Sequence, residues 1–114
     1  MSIDFLVSVL NDMENPARVN RNNAAIIVLE QPKLIKSLVD LTFDTDNKLS
    51  IKAAWVLEWI CTHHGIEHIH PYLNFFTENI SKVHFDSAIR PCAKICEHLA
   101  VAYTSKKENN TQKI

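Results

Sequence analysis

One glycine in 114 residues, Gly65, leaves this chain almost without the positive-φ positions that tight β-hairpin turns use. Apolar residues meanwhile recur at spacings of three and four along its length, the period of helices that bury one face. Together these predict an all-α fold.

The boundaries follow from caps and prolines. Helix one is expected from Ile3 to about Met13, with Ser2 as N-cap and Phe5, Leu6, Val9, Leu10 and Met13 on one face, ending at Asn15 and Pro16. Helix two is expected from about Val19 to Glu30, with a core stripe drawn from Ala24, Ala25, Ile27, Val28 and Leu29. Pro32 stops it and suits the first turn of helix three, which carries Leu34, Ile35, Leu38, Val39 and Leu41 to about Phe43. The run Asp44-Thr45-Asp46-Asn47 is a loop of residues that bond their own backbone. Helix four is expected over Lys48 to His63, and helix five from Glu67 or His68 through Tyr72, Leu73, Phe75, Phe76 and Ile80. Helix six opens on Asp86 and runs towards Tyr103, with Pro91 interrupting its early hydrogen bonding. Residues 1–103 thus form one domain, and 104–114, TSKKENNTQKI, a polar, fraying tail or linker.

Bulk properties narrow the function classes. A hydrophobic content of 46% with 22% charged residues describes a chain that folds. A net charge of −1 with interspersed signs offers no field for a nucleic-acid backbone, so DNA or RNA is not the expected partner. The N-terminal stretch MSIDFLVSVLNDMENP lacks a basic leader and a cleavage site, and no apolar run reaches membrane-spanning length, so a cytoplasmic protein without a membrane partner is expected. The sequons at Asn79 and Asn109 then have no secretory context. Cys61, Cys92 and Cys96 are an odd set, expected as reduced, buried thiols.

Internal similarity suggests how the helices are arranged. AAIIVLEQ, AAWVLEWI and AKICEHLA each place an apolar pair before a glutamate, Glu30, Glu58 and Glu97, at spacings of about 28 and 39 residues. Helices three and five fall between them as outer members of antiparallel pairs, the pattern of an α-solenoid. These pairs resemble HEAT or armadillo repeats, which implies a right-handed α-α superhelix of about six helices. IKAAWVLEWIC (51–61) and VHFDSAIRPCAKICEHLA (83–100) resemble, more narrowly, a family of small Bacteroidetes proteins often labelled adenylosuccinate lyase. The resemblance covers most of residues 18 to 103, and its motifs are silent on mechanism. Members of that family are longer, which implies that this chain is an N-terminal portion whose last helix lacks a following partner and self-associates or sticks.

The lyase label finds no residues to rest on. Adenylosuccinate lyases use a serine on a mobile, glycine-bearing signature loop, and the one glycine here is Gly65. No position inherits a lyase role, and a non-enzymatic chain without a cofactor is expected.

CTHHGIEHIHP (61–71) concentrates four of the six histidines. His64 and His68 stand four apart, as zinc ligands on one helical face do, but Gly65 breaks that face, and no glutamate follows the first histidine as a zinc-protease helix requires. Cys61, His64 and His68 remain the weak metal candidates. The favoured reading is a helix terminus, with His63 and His64 at the negative end of the dipole and Gly65 as cap. Cys92 and Cys96 are likewise read as core, on a stripe with Leu99 and Tyr103, while His98 points elsewhere.

A helical wheel of helix four puts Ala53, Leu57, Ile60 and His64 in the core, flanked by Leu49 and Val56, and turns Trp55, Glu58 and Trp59 away. That second face either packs on neighbouring inner helices, with ion pairs from Arg90 to Glu58 or Glu97, or opens as a groove. The groove would comprise Trp55, Glu58, Trp59, Arg90, Lys94 and Glu97, residue types that suit a protein or peptide partner. The expected function is a HEAT-like protein-interaction module, with nucleic-acid binding as the alternative and enzyme activity third.

Overall fold

Helical periodicity is realised as six α-helices among the described residues, with no strand: α1 (Ile3–Asp12), α2 (Arg18–Glu30), α3 (Lys33–Thr42), α4 (Leu49–His63), α5 (Leu73–Asn79) and α6 (Asp86–Gln112). The structure is a computed structural model describing residues 3–112, with side chains from Ile3 to Thr104. Ser2, the expected cap of α1, lies outside the described residues.

The connections are short and organised by their own side chains. The Asn15 side-chain oxygen accepts the Ala17 amide at 2.9 Å and the Asn20 side-chain amide at 3.0 Å, an Asx turn that launches α2. Asn47 Oδ1 accepts the Leu49 amide at 3.0 Å and so sets the start of α4. At the other end of α4, the amides of His64 and Gly65 both donate to the Ile60 carbonyl, at 2.8 and 3.0 Å. Gly65 has φ of 121°, the one positive φ among the described residues. A side chain there would be strained and would run into the Glu67 carboxylate, so the expected glycine stop is real.

Two elements depart from their sequence pattern. Helix five does not begin at Glu67: a 3-10 segment occupies Ile66–Tyr72, and α5 starts only at Leu73. Pro71 has no amide to donate, so regular helical bonding begins after it. The backbone of α6 continues past Tyr103 to Gln112, where a polar tail was expected.

α4 is the axle of the fold. Ser50, Ala53, Ala54, Val56, Leu57, Trp59, Ile60 and Cys61 are all buried, so α4 is covered nearly all round rather than along one stripe. It packs against α1, α2, α3, α6 and the Ile66–Tyr72 segment. Fully buried Leu6, Leu10, Val28, Leu38, Leu57, Ile60, Ile69, Phe76 and Ile95 bring every helix into one core. His64, expected in that core, is exposed, because the helix ends before its face can point inward.

Candidate functional site

The two tryptophans turned away from the sequence-predicted stripe of α4 are both tied to neighbouring helices. Indole N–H is a donor only, and each finds one acceptor. Trp59 Nε1 donates to Asn22 Oδ1 on α2 at 3.1 Å, and Trp55 Nε1 donates to the Ser87 carbonyl on α6 at 3.2 Å.

The second bond has a covalent cause. In an α-helix the carbonyl of residue 87 accepts the amide of residue 91, and residue 91 is proline, with no amide hydrogen. Pro91 therefore leaves the Ser87 carbonyl without its helical donor, and the Trp55 indole from the next helix supplies one.

Trp59 is buried rather than groove-lining, a correction to the sequence reading. α2 lies over it: the Arg21 guanidinium carbon sits 4.7 Å from the ring centroid, and the His63 ring packs on it at 3.9 Å. An isolated wheel of α4 cannot foresee the part of this cover that Arg21 and Asn22 bring from α2.

Trp55 remains half-buried, and beside it α2, α4 and α6 converge on a cleft of about 420 Å³. Its lining is Pro16, Arg21, Trp55, Glu58, Arg90, Pro91 and Lys94. Four of the six expected groove residues meet here: Trp55, Glu58, Arg90 and Lys94. Glu97 does not; it faces a different, apolar groove while pairing with Lys94 at 3.5 Å. The expected ion pairs from Arg90 to Glu58 or Glu97 are absent among the described residues, and Arg90 is exposed.

Sequence reasoning missed Pro16, Arg21 and Pro91 as cleft residues. The first two reach it through the α1–α2 turn, which no helical period encodes. Pro91 did carry a readable signal, since an interior proline frees the carbonyl four residues back and that carbonyl needs a donor.

Glu58 also heads a polar chain along the same side of α4. The Thr62 hydroxyl donates to Glu58 Oε2 at 3.0 Å and lies 2.9 Å from His98 Nε2 on α6. With its single proton directed at Glu58, Thr62 can only accept from His98, which requires the Nε2–H tautomer. A nucleophile–base pair needs the opposite direction, with the hydroxyl donating to imidazole. This chain fastens α6 to α4. His98, read as pointing away from the Cys92–Cys96 stripe, meets Thr62 of α4 at the surface.

The metal candidates do not assemble. Among the described residues no three His, Cys, Asp or Glu side chains gather around one point. Cys61 is buried, and burial first, then the charges of Glu58 and Glu67, push its thiol up to about 12, against the thiolate a metal requires. His64 lies exposed on the helix cap.

Cys92 is buried as expected, its thiol pushed up to about 12 by burial and then by Cys96. Cys96, expected in the core, is exposed instead. It lines an open apolar groove of about 650 Å³ between α6 and the Ile80–Lys82 turn, with Ile80, Val83, Ile89, Cys92, Ala93 and Ala100. No later helix among the described residues covers this face.

No helix among the described residues is long and apolar enough to cross a membrane. Comparison of the chain with family models, with curated proteins and with solved structures gave no match.

Proposed function

We propose that this chain is a non-enzymatic, HEAT-like interaction module that binds a protein or peptide in the cleft where α2, α4 and α6 converge, in a reducing cytoplasmic compartment. Packing order supports the solenoid part of the reading. α2 packs on α4 and α4 on α6, while α1 packs on α3 and α3 on the Ile66–Tyr72 segment, as in two layers of stacked helical pairs. The right-handed superhelix and the three-repeat organisation belong to this proposal.

The observation that carries the binding reading is the cleft itself. It places an aromatic edge, Trp55, beside two prolines and two arginines at the junction of three helices. Tryptophan and arginine dominate interface energetics where they are present together. Nothing in the cleft pairs a nucleophile with a base, and the Glu58–Thr62–His98 chain runs in the wrong direction for one.

Site-specific photocrosslinking tests the proposal. A photoreactive residue replacing Pro16, exposed in the cleft lining, is expected to capture a partner in the native lysate, whereas the same residue replacing Lys36, on the exposed side of α3, is expected to capture none. Equal capture from both positions, or none from position 16, would sink the interaction reading.

A further inference from the structure

Resting on that reading, we infer that the cleft selects an acidic peptide segment. Charge at the cleft runs against the chain as a whole. The molecule carries a formal charge of −1 and has only three arginines, yet two of them, Arg21 and Arg90, line this one cleft together with Lys94. Glu58 is the single carboxylate in the lining, and one of its oxygens already accepts from Thr62.

Neither arginine is neutralised. Among the described side chains Arg21 and Arg90 have no carboxylate partner, and the nearby Glu97 is engaged with Lys94 at 3.5 Å. Arg21 is held by stacking on Trp59 at 4.7 Å, and its buried Nε has no hydrogen-bond acceptor. Its guanidinium is thus positioned by an aromatic face rather than by a counter-ion. Guanidinium groups present parallel N–H donors that match a carboxylate in bidentate fashion.

The remaining surface favours peptide over nucleic acid. Pro16, Trp55 and Pro91 give apolar footing for side chains flanking the acidic residue. Glu58 opposes a continuous run of phosphates, which would also require a longer basic track than three cations supply. A segment with one or two carboxylates set between apolar residues satisfies both the cations and the platform.

The test uses the full chain and fluorescence anisotropy with three labelled probes: a capped oligoglutamate peptide, a capped oligolysine peptide and single-stranded oligothymidine. Oligoglutamate is expected to bind and to weaken as salt rises. Arg90→Glu should reduce that binding by about tenfold or more. Arg18→Glu, at an exposed arginine on α2 outside the cleft lining, should leave it unchanged. Circular dichroism on each variant confirms that it is folded.

Absence of oligoglutamate binding, or equal losses in the two variants, overturns the acidic-peptide inference. If crosslinking from position 16 persists in that case, the interaction face stands and only the partner's chemistry is wrong. Tighter binding of oligothymidine overturns it in favour of nucleic acid. Full displacement of oligoglutamate by equimolar inorganic phosphate overturns it in favour of a site for a single small anion.

Discussion

At Trp55 the chain compensates locally for a defect made elsewhere. Removing the indole donor in Trp55→Phe leaves the exposed Ser87 carbonyl with only solvent as a partner, at a cost of about 0.5 to 1 kcal/mol. Pro91→Ala returns an amide hydrogen to the position that faces this carbonyl, so Trp55→Phe should cost less in that background. Urea unfolding of the two single variants and the double variant measures the coupling; strict additivity would show that the indole bond is incidental. Gly65 offers a second residue-scale test. Its φ of 121° disfavours any side chain, so Gly65→Ala should destabilise by about 1 to 2 kcal/mol, read as a lowered urea midpoint with an unchanged slope. The histidines around this glycine have a plainer place than their density suggests: His63 rests on Trp59, and His64 and His70 are exposed.

Among the elements α4 carries the greatest structural weight, because every layer of the core reaches it. Leu57 and Ile60 are both fully buried, and Leu57→Ala should cost about 3 kcal/mol in thermal or urea unfolding. Val19 is 64% exposed at the start of α2, so Val19→Ala should change stability by less than about 0.5 kcal/mol. Most of this scale was legible in the sequence. Spacing and the prolines located all six helices, and Asp44 to Asn47 located the turn before α4. What spacing could not provide was cover from neighbours. A wheel assigns each residue one outward direction, but α4 has neighbours on nearly every side, so Trp59 is buried where the wheel turned it out. The same blindness hid Arg21 from the candidate site. Trp55, Glu58, Arg90 and Lys94 were found because α4 and α6 carry the same local pattern, whereas Arg21 arrives by way of a turn whose geometry Asn15 sets.

For the molecule as a whole, the cysteines give stability a direction with pH. Cys61 and Cys92 have thiols held near 12 in the folded chain, while the unfolded chain returns them to ordinary values. Between about pH 9 and pH 12 the unfolded state therefore binds fewer protons, and stability falls as pH rises. The contribution is fully present below this window and declines within it by about 1 kcal/mol per pH unit for each thiol. Urea unfolding on either side of the start of the window should show the loss, and a Cys61→Ala/Cys92→Ala variant should show less of it. A wild-type curve that is flat across the window would contradict the burial assigned to both thiols. The same two positions should resist alkylation in the folded protein, whereas exposed Cys96 reacts first.

The carbonyl that Pro91 vacates also acts as a unique address along α6. Carbonyls in the adjoining helical turns already receive an amide hydrogen, so an indole arriving from α4 gains most at Ser87. Sliding α6 by one turn would present Trp55 with an occupied acceptor and leave the Ser87 carbonyl to solvent. A flaw in one helix thereby adds a preference for the axial position that the packing of Ala54 on Ala88 and Cys92 already sets, and with it the alignment of Arg90 and Lys94 across from Glu58.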